Sequence, residues 1–152
     1  EQVQVNLKQR FDYIFSGKSY PGIPKVKLIT ITKTTPFFME GIKIIPIEVM
    51  HGQLPILGFR VHDFTYITDI KTINEDELEK VMGTEVLVLS ALHQDAHRTH
   101  QNLDEALALI EKIAPKHTYL THISHRMGRY ANIAPTLPSH ITMAYDGLTI
   151  EI

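Results

Sequence analysis

The chain has no cysteine and no tryptophan in its 152 residues. Without cysteine it has no disulfide framework, no thiolate metal site and no cysteine nucleophile. It also lacks an apolar run near the ~18–20 residues that a membrane-spanning helix needs. No basic-then-apolar leader opens it. A cytoplasmic protein is the expectation. Charge of one sign is missing too: 15 Lys and Arg stand against 17 Asp and Glu, a formal net charge of -2. That balance excludes a strongly basic nucleic-acid-binding surface and leaves only a local patch open. Residue 1 is Glu, not Met. The chain is therefore expected to be a processed product or a portion of a longer protein. What remains is ordinary for a globular chain, at 43% hydrophobic and 21% charged residues, with a length that suits one domain, residues 1–152. The surplus is in histidine, of which there are nine.

Periodicity predicts an amphipathic helix over 3–15, where Val3, Leu7, Phe11, Ile14 and Phe15 share a face and Ser16-Gly17 provides a stop. Gly and Pro punctuate a loop over 16–24. Segments 26–32, 43–50, 56–61 and 64–68 are short and β-branched, so they read as strands. Pro46 places the second of these at an edge. His62-Asp63 reads as a hairpin turn. The second half alternates. Asn74 with Glu77 marks a capping box for a short helix ended by Gly83. The continuously apolar run 86–89 suits a strand buried on both faces. Asn102 with Glu105 caps a second helix, whose Leu103, Ala106, Leu107, Ile110 and Ile113 share a face and which Pro115 closes. Residues 118–121 form a further strand, and 128–138 are irregular or a short helix. Segments 141–145 and 148–152 pair around Asp146-Gly147, a hairpin signal. The class is α/β or mixed, antiparallel first and βαβ-like later.

His and Asp fall where these strands end. His51 follows Met50, Asp69 follows Thr68, His93 lies just past 86–89, and His122 follows Thr121. Loops at strand ends are held by a rigid scaffold and stay accessible, so ligands collect there. Imidazole nitrogen and carboxylate oxygen suit Zn²⁺, Mn²⁺ or Fe²⁺. Taken singly, each residue is more simply a loop or turn former. The joint pattern points to a metal site, and six of the nine histidines lie between residues 93 and 125.

On a helix, His93, His97 and His100 would share one face. The spacing approaches the His-Glu-x-x-His zinc-protease motif, but residue 94 is Gln and the general base is missing. A polar loop is the simpler reading of His93 and His97. His100 sits two residues before the Asn102 cap, a place for a proton donor aimed into a cleft. In the segment Leu120–Arg126, Thr-His followed by Ser-His offers one ligand and one residue that orients it or touches substrate. Arg126 and Arg129 are of the type that holds a phosphate.

The order VMHG (49–52), YITDIK (66–71), HRTHQNLDEAL (97–107), LTHISH (120–125) and YDGLTIEI (145–152) resembles the metallo-β-lactamase-fold hydrolases. Within them it is most similar to the phosphoribosyl cyclic phosphodiesterases of the carbon–phosphorus lyase pathway. The likeness runs from about residue 40 to the end. It implies an αββα sandwich, of which this chain is the C-terminal half plus a connecting region. It also implies a site for two divalent metal ions, Zn or Mn, that cleaves a phosphodiester with an activated water. By resemblance His51 binds one metal, Asp69 bridges both, and His122 binds the other. His100 is the catalytic histidine that protonates the leaving oxygen. From the residues themselves, and not from the resemblance, His125 and Arg126 are expected to support a ligand or touch substrate.

The family's His-x-His-x-Asp-His is absent, since no two histidines here are separated by one residue. The three ligands left are split between two metals, so partial or no metal occupancy and weak or no activity are expected of this chain alone. Half a sandwich exposes an apolar face, which predicts a homo-oligomer. The expected partner is a small-molecule phosphodiester, with no membrane or nucleic acid. The rival readings are a nuclease or thioester hydrolase of the same fold, and a non-catalytic metal-binding or interaction module.

Overall fold

A computed structural model describes residues 2–17 and 21–151. The chain divides into two compact units, Glu1–Thr32 and Lys33–Ile152.

In the first unit the helix expected over 3–15 is two helices, α1 (Gln2–Arg10) and α2 (Asp12–Phe15). Phe11 leaves helical backbone between them, at φ -116° and ψ 42°. Val3, Val5 and Phe11 stay exposed, so little burial holds one continuous register, and short helices are marginal without it. The strand expected over 26–32 does not form. That segment has no strand partner among the described residues, and Val26, Ile29 and Ile31 are exposed. β-propensity records fit to a half-buried pleated surface, which is missing here. A side-chain bond from Gln4 Nε2 to Thr30 Oγ1, 2.8 Å, joins α1 to it instead. Residues 18–20 of the expected loop lie outside the described residues.

The second unit holds β1 (Phe37–Met39), β2 (Ile42–His51), β3 (Leu54–Val61), β4 (Phe64–Ile67), β5 (Thr72–Ile73), β6 (Val86–Ser90), β7 (His117–Thr121) and β8 (Ile141–Met143). They form one sheet in the order β1-β2-β3-β4-β6-β7-β8, with β5 against β2. Pairing is antiparallel from β1 to β4 and parallel from β4 to β8. This is the mixed α/β arrangement the sequence predicts.

Pro46 has a specific place in it. β1 covers Ile42–Ile44 of β2, and β5 covers Val49 and Met50. Pro46 lies in the gap between them, where its missing N–H costs no ladder bond. Side chains of the helix α3 (Glu75–Leu78) and the turn after it fill that gap. Glu77 accepts from Glu48 N at 2.8 Å, and Lys80 Nζ lies 3.4 Å from the Pro46 carbonyl. The capping box expected at Asn74 is therefore absent, because Glu77 is taken by Glu48 and Lys80. The helix ends at Leu78, and turns run on to Gly83.

The helix α4 (Leu103–Ile113) crosses between β6 and β7 and has the expected capping box: Asn102 accepts from Glu105 N, and Glu105 accepts from Asn102 N. Ala106, Leu109, Ile110 and Ile113 are buried with Ile47, Ile67, Leu87, Leu89 and Leu120 of the strands. Ala114 takes a left-handed cap just before Pro115. A short helix α5 (Tyr130–Ile133) lies in the irregular segment near the end. At Asp146-Gly147 the turn forms, with Leu148 N bonded to Tyr145 O at 3.1 Å, but the second strand of the expected hairpin does not. β8 pairs parallel to β7 instead. Leu148 and Ile150 are half-buried and Thr149 and Glu151 exposed, the alternation of a strand, but the segment joins no ladder among the described residues; Ile152 lies outside the described residues. No helix among the described residues is long and apolar enough to cross a membrane.

Candidate metal centre

The four loops that leave β2, β4, β6 and β7 are stitched to one another through backbone. Lys71 N donates to Met50 O at 2.7 Å, and Gln101 N to Ile70 O at 2.8 Å. Leu92 N donates to Gln101 O at 3.0 Å, Ser124 N to Leu92 O at 2.8 Å, and Ala91 N to Thr121 O at 3.0 Å. The loops thus hold their side chains in place without a continuous element beneath them. Asp69 and His122 both take left-handed backbone, at φ 58° and 57°. Asp and His tolerate this conformation better than most residues, and such positions cluster at functional sites.

The side chains converge. Asp69 Oδ1 lies 3.1 Å from His100 Nε2 and 3.2 Å from His122 Nε2. The rings of His100 and His122 stack at 5.0 Å, and that of His51 meets His100 edge-on at 4.4 Å. His51 Nδ1 lies 2.9 Å from Thr99 O. A carbonyl only accepts, so this nitrogen carries the proton and Nε2 keeps its lone pair. Burial pushes the His100 pKa down, the Asp69 bond opposes this, and the nearby His51, His122 and His97 add to the lowering.

His51, Asp69 and His100 each present a ligand atom, all within 4.8 Å of one another. Imidazoles with a carboxylate are a donor set for borderline divalent metals. The residues fit such an ion. A carboxylate oxygen facing two imidazole nitrogens, beside a third ring with a bare nitrogen, is an arrangement that a cation satisfies.

All four residues expected at the site by sequence, His51, Asp69, His100 and His122, are in it. His100, expected as a proton donor, is also one of the three residues whose ligand atoms lie within 4.8 Å of one another. His125 and Arg126 stand apart. His125 is exposed at the start of a 3₁₀ turn, and Arg126 pairs with Asp95 on an exposed face. Neither bonds to the four among the described residues. The sequence reading gives Thr99 no role and leaves His97 in a polar loop. Thr99 supplies the carbonyl for His51, and its hydroxyl lies 3.0 Å from His100 Nδ1. His93, His97 and His100 share no helix, since their segment is a loop, yet their rings meet in sequence at 5.5 and 4.9 Å. The His-x-Thr-His spacing was the available signal.

A mixed sheet with three histidines and an aspartate gathered in the loops after its strands agrees with the metallo-β-lactamase-fold class that the resemblance implies. The chain belongs to the family described as the beta-lactamase superfamily domain, whose model matches residues 1–123. A solved diphosphatase from the PhnP family is 34% identical with a TM-score of 0.87, over 100% of this chain and 56% of that one. The Bacillus subtilis metallo-β-lactamase-fold protein YhfI is 17% identical with a TM-score of 0.68, over 93% of this chain and 61% of that one; it shares the fold. An octanoyltransferase of Porphyromonas gingivalis is 32% identical over 149 residues, which are 97% of this chain and 30% of that protein. The chain thus spans 56% of the diphosphatase and less than a third of the octanoyltransferase.

Proposed function

We propose that this chain carries part of the active site of a metal-dependent hydrolase that cleaves a phosphodiester. The observation behind this reading is Asp69 Oδ1 within 3.2 Å of two imidazole nitrogens. Its likeness to the PhnP-family diphosphatase supports the substrate class. His51, through Nε2, and Asp69 and His122 would hold two divalent ions. When bound, such ions supply Lewis-acid stabilisation of phosphoryl charge and lower the pKa of a water. The chain's own residues do the rest. Asp69 orients the Nε2 edges of His100 and His122. His100 moves a proton at Nε2 to the leaving oxygen, a transfer that general acids accelerate by ~10²–10⁴-fold. The Thr99 carbonyl keeps the His51 ring in one tautomer. Three ligands divided between two ions hold metal weakly, so activity of this chain alone is low.

The test is hydrolysis of bis(4-nitrophenyl) phosphate with added Mn²⁺ or Zn²⁺, beside a thioester control. It is run on this chain and on a version extended at its N-terminus. The expected result is metal-dependent phosphodiester turnover, greater in the extended protein and lost in Asp69→Asn. Turnover unchanged by Asp69→Asn, or cleavage of the thioester alone, overturns the reading.

A further inference from the structure

Two chain segments bring Asp69 and His100 together, and they run side by side in register. Asp69 Oδ1 lies 3.1 Å from His100 Nε2. One residue further along each segment, Gln101 N donates to Ile70 O at 2.8 Å. A second step along, Lys71 and Asn102 share one carboxylate. Lys71 Nζ donates to Glu105 Oε1 at 2.7 Å and to Oε2 at 2.8 Å, and Asn102 N donates to Oε2 at 3.0 Å. Residues 69 with 100, 70 with 101 and 71 with 102 thus form successive rungs between the two segments.

The inner rung is the candidate site itself. The middle one is a single neutral backbone bond. The outer one is charge-assisted, and such bonds are roughly twice as strong as neutral ones. Glu105 is itself fixed, because its backbone N–H donates to Asn102 Oδ1 at 2.9 Å where α4 begins. Lys71 reaches a third segment as well: its backbone N–H donates to Met50 O at 2.7 Å, next to His51. Asp69 stands in left-handed backbone, at φ 58°, a conformation that persists only where its surroundings hold it. We infer that Glu105, acting through Lys71, is a positioning residue that keeps the Asp69 segment in register with the His100 segment and so sets the spacing of the metal ligands. Capping α4 accounts for the Asn102 contact but not for Lys71. The inference rests on the metal-binding part of the reading above and is independent of the substrate.

The test is Zn²⁺ affinity by titration calorimetry, with amide exchange of Gln101 in the metal-free chain as a second readout. Lys71→Met cuts the outer rung and leaves the capping box. It is expected to weaken Zn²⁺ binding by roughly 10-fold and to speed exchange at Gln101 relative to the amides of β6. Lys71→Arg, which still pairs with the carboxylate, restores both. Ile110→Val loosens the buried face of α4 without touching the rungs, so it lowers the melting temperature and leaves Zn²⁺ affinity as it was. Unchanged affinity or unchanged relative exchange at Gln101 in a folded Lys71→Met overturns the inference, and so does an equal loss of affinity in Ile110→Val. If Lys71→Met does not fold, Glu105→Gln, which keeps an acceptor for Asn102 but not the charge, decides by the same two readouts. If Zn²⁺ does not bind the unmodified chain, the metal reading fails, and exchange at Gln101 alone decides whether Glu105 holds the register.

Discussion

His51 Nδ1 donates to the backbone carbonyl of Thr99 across 2.9 Å, joining residues 48 positions apart. The bond ties the end of β2 to the loop that enters α4. Because the acceptor is backbone, the orientation of the His51 ring depends on the path of that loop and not on which side chain residue 99 carries.

Gly52 governs that path from the other side. Its φ is +63°, and a Cβ there would stand 2.9 Å from Thr99 Cγ2. Gly52→Ala must both strain the backbone and press on Thr99. A loss of about 1–3 kcal/mol is expected, read as a lower urea midpoint at unchanged slope. An unchanged midpoint would show that the close approach is not maintained in solution.

Asp69 is the carboxylate on which two histidines converge. Metal that binds only the folded state raises the melting temperature. Zn²⁺ or Mn²⁺ is expected to stabilise the unmodified chain in a thermal melt and to leave Asp69→Asn where it is without metal. Equal stabilisation of both would place the bound metal elsewhere.

Asn102 and Glu105 satisfy each other's backbone N–H at the start of α4. Asn102→Ala removes the side-chain half and is expected to cost about 1 kcal/mol. For a chain of this size that corresponds to a melting temperature lower by ~2–4 °C. The same substitution frees the Gln94 carbonyl, which accepts from Asn102 Nδ2 at 3.1 Å. Backbone amide exchange in the loop should therefore rise with that in the first turn of α4.

Glu105 also sets a pH dependence. Burial opposes its charge, but the Lys71 bonds at 2.7 and 2.8 Å, the Asn102 N–H and the Lys71 charge outweigh this and hold its pKa below the ordinary glutamate value. A depressed carboxylate pKa means that the unfolded chain binds more protons in the window between the two values, so stability rises with pH there. The contribution is complete above the unfolded pKa of about 4.3 and is lost as pH falls through the folded one. Glu105→Gln is expected to flatten that acid limb in urea unfolding from pH 6 to pH 3. A limb of the same steepness would remove Glu105 as its source. The Glu105 side chain is 41% exposed, so solvent screens the pair and the effect is modest.

The legible parts of this molecule are those whose signals are local. The period of α4, its Asn102 cap, the apolar run at β6 and the His62-Asp63 turn are all written within a few adjacent residues, and all are present. The errors fall where a local signal needed a distant partner. Segment 26–32 has strand composition but forms no strand among the described residues. Asp146-Gly147 makes its turn without a ladder. Glu77 leaves its expected cap for the backbone of Glu48, 29 residues away.

The site divides in the same way. Sequence by itself determined which residue types stand at the strand ends, and so the nitrogen and oxygen chemistry available. Only the tertiary structure decided that His51, Asp69, His100 and His122 meet, that Arg126 is spent on Asp95, and that His97 lies against His100. The reason is physical. Residue identity sets what a side chain can donate or accept, but pairing between loops depends on how four strands are registered, and that register is held by backbone bonds no short segment encodes.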